Sequence, residues 1–317
     1  DDASNVLGSI SRNGTFIWRT VGEDSGDPSH TFRLVMPGDG ERSATFCFFP
    51  NDPNSVVIAW GSSLLVLNVE KAMQEAETAD LNGLVCNTLL AQDCLLDQDI
   101  LPGWIEEGDN DGISCVTVIA EDTKGSTDHI ICYGTDLGYV KTVGPFAKGH
   151  SIREMQDKLR KTLQHFPNEP VKSIFGMTNG SGRTSLGVGS NGNSVLRLFE
   201  MSGLSVLKEA HKLTFESSTG SCNGVAYEPK LGVIVVSNLN ESGNLYFVQA
   251  GFDDNDKPFF GHVQGFSMTN TLNKQQFISM TVQKKKIDGA DKLQVYFFFG
   301  LSVCMYEFGV KDCMPHF

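Results

Sequence analysis

One unit recurs along this chain and constrains its fold more than any other feature: an apolar run, a tight polar turn, then an alternating strand. It appears at residues 6–18 (VLGSISRNGTFIW), 56–67 (VVIAWGSSLLVL) and 130–140 (IICYGTDLGYV). It returns at 186–198 (LGVGSNGNSVLRL), at 233–237 leading into 242–248 (VIVVS, SGNLYFV), and at 295–303 (VYFFFGLSV). The turn glycines fall at 14, 61, 138, 192, 243 and 300, so successive gaps are 47, 77, 54, 51 and 57 residues. A repeat of about 40–50 residues built from short strands is the spacing of a β-propeller blade. A single four-stranded blade cannot bury both faces, whereas a ring of blades can, and closure removes most exposed edges.

The expected fold is therefore all-β, a WD-repeat-like propeller forming one domain over residues 1–317. Blade segments are expected at 1–21, 31–69, 84–143, 170–199, 205–250 and 258–310, about five and a half blades, with the first begun inside a blade. The one long gap is assigned to an insertion at 70–110, and a second insertion is assigned to 146–169. Both insertions read as helical. Residues 69–80 are rich in helix formers with no turn signal. Residues 151–166 open on the capping-box sequence Ser151-Ile152-Arg153-Glu154. They then place Ile152, Met155, Leu159, Leu163 and Phe166 on one helical stripe. Such a stripe packs on the ring or docks a partner, and Ile152, Met155, Leu159 and Leu163 are the candidate partner-binding residues.

Net charge is −13 with a pI near 4.9. Nucleic-acid affinity comes largely from neutralising phosphates, so this field opposes strong direct binding of RNA or DNA. Basic residues gather in only two places, residues 148–172 and Lys284-Lys285-Lys286. The first reads as a helix face and the second as a hairpin loop. No stretch reaches the roughly 18 uninterrupted apolar residues of a membrane span. The opening Asp1-Asp2-Ala3-Ser4 has neither the basic start nor the apolar run of a signal peptide. The eight cysteines are scattered, without C-x-x-C, mostly inside apolar runs such as ATFCFF at 44–49. That pattern reads as buried, reduced thiols. The sequons at Asn13, Asn179 and Asn240 each sit in an expected turn and read as turn chemistry.

Two motifs invite chemical readings that their context removes. Residues 187–192 (GVGSNG) match G-x-G-x-x-G, but a dinucleotide fingerprint must lead into a helix, and here the continuation is a strand. Residues 106–112 (EEGDNDG) resemble the start of a calcium loop. The twelfth position is Val118, where a bidentate Glu is required. The histidines never fall at metal-ligand spacing, and neither G-x-S-x-G nor H-E-x-x-H occurs. The sequence therefore points to a non-catalytic protein without a cofactor or metal.

Several segments resemble, in order, the N-terminal propeller of the enhancer-of-mRNA-decapping scaffolds, called Hedls in animals and Varicose in plants. Residues 6–21 are similar to that family's "ASxDGxxxVW" strand pair, with Trp18 as its tryptophan. Residues 32–69 and 133–143 resemble the next blade and "SxDGYVKFW". Residues 186–199 resemble "ITGxxxNxxLKxW", 232–248 "LILSDxxxxxLYxxxL" and 293–309 "VxxFCVxTxxxQxY". Val143 stands where tryptophan is usual, and the Asp-His-Ser-Trp tetrad of ordinary WD repeats is largely missing. The resemblance implies a seven-bladed ring at the start of a longer protein. It implies a scaffold in cytoplasmic processing bodies that gathers the decapping enzyme and its activator. Self-association would lie in regions outside this chain. Other scaffolds use the same kind of ring: coats, nucleoporins and ubiquitin-ligase adaptors. Some propellers are enzymes, with catalytic groups gathered at the central channel.

Overall fold

A computed structural model describes residues 5–10, 15–21, 30–35, 44–50, 52–68, 87–90, 105–106, 111–123, 126–146, 160–202, 205–215, 222–239, 243–268, 277–299 and 302–313. The chain divides into two compact units, residues 1–165 and 166–317. Among the described residues it is all-β apart from one short helix.

The first unit holds three four-stranded sheets. The sheet nearest the N-terminus is β1 (Asn5–Ile10), β2 (Thr15–Val21), β3 (His30–Val35) and, parallel to β3, β7 (Asn87–Leu90). The next runs β4 (Ala44–Phe49), β5 (Asp52–Trp60), β6 (Ser63–Asn68) and the two-residue β8 (Ile105–Glu106). The third is an antiparallel meander of β9 (Ile113–Thr123), β10 (Ser126–Thr135), β11 (Tyr139–Phe146) and β12 (Arg160–His165).

The second unit continues the pattern. One meander is β13 (Val171–Thr178), β14 (Thr184–Ser190), β15 (Val195–Ser202) and β16 (Ser205–Thr214). Another is β17 (Gly224–Glu228), β18 (Val233–Asn238), β19 (Asn244–Phe252) and β20 (Pro258–Ser267). A three-stranded sheet of β21 (Phe277–Ile287), β22 (Ala290–Phe299) and β23 (Val303–Gly309) follows, and the helix α1 (Val310–Cys313) closes it.

All six repeated hairpins are present as antiparallel pairs: β1–β2, β5–β6, β10–β11, β14–β15, β18–β19 and β22–β23. The described turn glycines sit in the left-handed region: Gly61 (φ 58°), Gly138 (88°), Gly192 (65°) and Gly243 (68°). That conformation costs a side chain and leaves glycine free. Apolar residues run continuously through central strands such as β18, which is buried along its whole length on both faces. In β18, Val233 and Val235 enter a core shared with β21–β23, while Ile234 and Val236 enter another shared with β13–β15. In the first unit Val57, Ala59, Leu64 and Val66 meet Val116, Val118, Ile131 and Tyr133 in the same way. Each Val, Leu or Ile among them contributes about 1.5–3 kcal/mol when fully buried.

Three expectations need correction. The helix expected over 151–166 does not reach its end, because Arg160–His165 is strand β12, paired antiparallel with β11. Residues 151–159 lie outside the described set, as does the helix expected at 69–80. The β-branched Thr162 suits a strand, and the edge of β11 offers ladder hydrogen bonds that outweigh local helix propensity. The insertion at 70–110 also supplies strands, since β7 and β8 lie within it. Finally, sheets and expected blade segments part company at the outer strands. β12 falls in the expected second insertion, and β16 completes the sheet begun at β13 instead of opening the segment at 205.

Candidate interaction surface

Of the expected docking stripe, Ile152, Met155 and Leu159 lie outside the described residues. Leu163 is half-buried in β12, at a register shift where Val140 pairs with Gln164 and Lys141 with Thr162. A bulge of this kind leaves its extra residue unpaired and bends the strand. Phe166, the last stripe position, is half-buried in the second unit, 6.1 Å from the ring of Phe199. Leu163 therefore lies on a strand and not on a helical face, and the structure describes none of the other three candidate residues.

Phe166 belongs to a charged node that fastens the segment leading into β13. Arg197, on the central strand β15, is only 6% exposed. Its guanidinium lies 4.5 Å from the Phe166 ring centroid. It reaches Glu169 at 2.9 Å and Glu209 at 3.4 Å, and it donates to the Ser190 hydroxyl. Ser190 in turn donates to Glu169 at 3.0 Å. Burial pushes the Glu169 carboxyl up. The bonds from Ser190 and Arg197, with the charges of Arg197 and Lys212, outweigh this and hold it below the usual glutamate range. A buried guanidinium is tolerated where its donors are met, and this node is structural.

The decoy motifs resolve into packing. Gly187 lies on β14 under Phe175, and Gly189 lies between Ser173 and Asn193, so a side chain at either would collide. Ser173 donates to Asn193 at 2.8 Å. Asp111 is 8% exposed and accepts the Leu137 N–H at 3.1 Å, while Gly112 accepts that of Asp136 at 2.9 Å. These bonds stitch the loop before β9 to the β10–β11 turn. Asn179 acts as turn chemistry: its Oδ1 accepts from Ser181 N–H at 3.1 Å and Arg183 N–H at 2.8 Å. Its amide donates to Asp256 at 2.6 Å. Asn13 and Asn240 lie outside the described residues. Lys284 to Lys286 lie on β21, where Lys284 pairs with Asp291 at 2.8 Å. The Cys47 and Cys132 thiols are pushed up by burial.

Among the described residues two surfaces present large apolar groups to solvent. In the first unit Leu137 tips the β10–β11 turn, 50% exposed. Beside it the Tyr139 ring stacks on His165 at 4.0 Å, and the Lys141 ammonium lies 5.0 Å from the Tyr139 centroid. In the second unit Ile278 (62%), Val303 (57%) and Met305 (47%) are exposed on β21 and β23. Val303 pairs across from Phe298 and Met305 from Tyr296, so they share one face. A polar ladder continues that face: Gln283 donates to Gln294 and Tyr296, and Gln294 to Glu307 at 2.7 Å. The sequence conceals this face, because β23 is apolar at positions facing both ways. Among the described residues no three His, Cys, Asp or Glu side chains gather as a metal site.

Successive small sheets, each containing one copy of the hairpin repeat, define an all-β protein of propeller type among the described residues. Similarity to solved structures is distant. BBS1N in complex with ARL6DN is 11% identical, with 96% of this chain and 75% of that one covered and a TM-score of 0.49. The WD40 domain of SCAP from fission yeast is 13% identical, at 97% and 67% coverage and a TM-score of 0.47. The RRP9 WD40 repeats are 10% identical, at 95% and 76% coverage and a TM-score of 0.48. No protein-family model and no curated protein matches the chain.

Proposed function

We propose that the chain is a non-catalytic, protein-binding scaffold domain of an mRNA-decapping assembly. The observation that carries the scaffold reading is the register of the repeat. Each described turn between the central strands is held by its sheet, and loops on such rigid supports vary and bind without disturbing the core. Exposed apolar groups at Leu137, Val303 and Met305 suit docking better than they suit a solvated surface. The decapping assignment rests on the ordered resemblance of six segments to the Hedls/Varicose propeller. It brings with it a seven-bladed ring, residence in processing bodies, and the decapping enzyme and its activator as partners. Native affinity purification of the full-length protein tests this assignment. Co-recovery of the decapping enzyme and its activator is the expected result. Recovery of coat, nuclear-pore or ubiquitin-ligase components without them would replace the decapping reading by another scaffold.

A further inference from the structure

The outer strands of two neighbouring sheets meet in the second unit through an unusual bond. His211, on β16, accepts the backbone N–H of Phe260, on β20, at Nδ1 over 2.7 Å. The two rings also stack, 5.6 Å apart and 26° from parallel. Both strands are irregular here. On β16 the register shifts beside His211, since Leu198 pairs with His211 but Phe199 with Glu209. On β20 it shifts just past Phe260, where Val248 pairs with Val263 but Ala250 with Phe260. Bulges re-aim side chains and interrupt a ladder. One bulge adjoins the imidazole that reaches across, and the other weakens the support of the strand that the imidazole holds.

We propose that His211 and Phe260 form a pH-sensitive clasp, closed when the imidazole is neutral and opened when it takes a proton at Nδ1. A neutral imidazole keeps a lone pair on one nitrogen, and a charged one donates from both. The proton and the Phe260 N–H therefore compete for the same site. Imidazole is the side chain whose ordinary charge change falls between about pH 5 and 8. Phe260 is itself buried, in the core that joins β13–β16 to β17–β20. Opening the clasp frees the backbone of a strand whose side chain anchors that core. The ring stack survives protonation, so β20 loosens without leaving.

The charged and titratable groups near the clasp come from β15, β16, β20 and the β19–β20 turn. On β16 the neighbouring charges are Lys208, Glu209 and Lys212, and Glu209 is held by Arg197 of β15 at 3.4 Å. β15 also carries Glu200, paired across from Lys208, and places Leu198 opposite His211. β19 carries no charged residue, and β20 brings one titratable group, the half-buried His262. The β19–β20 turn carries Asp253, Asp254, Asp256 and Lys257, of which Asp253 accepts the N–H groups of Asn255 and Lys257.

Amide exchange at Phe260 reads the clasp directly. After correction for intrinsic rates, its protection should fall by on the order of fivefold between about pH 7.5 and 5.5, the effect of one hydrogen bond. His211→Asn offers an acceptor oxygen near Nδ1 that does not titrate, and its protection should stay high at both pH values. His211→Ala should be weakly protected at both. Constant protection in the unaltered protein, or an equal acid loss in His211→Asn, would overturn the proposal.

Discussion

At the scale of single residues, buried polar groups do the positioning. Arg197 ties Glu169, Glu209, Ser190 and Phe166 to a central strand. The two carboxylate side chains are 37% and 43% exposed, so solvent screens much of the pairing. Arg197→Ala should therefore lower stability by about 1–2 kcal/mol in chemical denaturation, short of the larger loss of a fully buried pair. The pH dependence has a definite sign. Glu169 titrates lower when folded than when unfolded, so its contribution is complete above the ordinary glutamate range. It is lost as pH falls through the depressed folded value. Arg197→Ala should accordingly flatten the fall in stability below about pH 4.5. The sequence offered no sign of this node, because its members come from three separate segments and only folding brings them together. Gly187 and Gly189 show the opposite case. Their motif was plain in the sequence, and its context correctly marked them as strand residues whose missing side chains admit Phe175 and Ser173.

At the scale of elements, the central hairpins were legible and the outer strands were not. A central strand such as β18 is buried on both faces, so it announces itself as an apolar run ended by a glycine turn. An outer strand meets solvent and mixes its residues. β12 (RKTLQH) has a polar composition that suits a helix equally well until the edge of β11 is known. For the same reason the candidate stripe Ile152, Met155, Leu159 and Leu163 was assembled on a helical period that Leu163 does not follow. Thr162→Ala separates the two local structures. In a strand the change should cost about 0.5 kcal/mol, whereas in a helix it would gain a similar amount. Loss of stability in thermal or chemical denaturation is expected. The exposed Val303 and Met305 escaped notice because β23 is apolar on both sides, which reads as ordinary core.

At the scale of the whole molecule, charge and surface chemistry bear on partners. With a net charge of −13 the chain should not hold RNA at submicromolar affinity at about 150 mM salt. Fluorescence anisotropy with a labelled single strand checks this, and tight binding would show that the basic residues at 148–172 outweigh the global field. The central claim, a scaffold domain that binds protein partners of mRNA decapping, is tested most directly with purified components. Residues 1–317, first shown to melt cooperatively, are titrated by calorimetry with the decapping enzyme, with its activator, and with the two together. A saturable complex of defined stoichiometry with at least one of them is the predicted result. A cooperatively folded chain that gives no binding heat and no co-migration in gel filtration with any of the three would contradict the account.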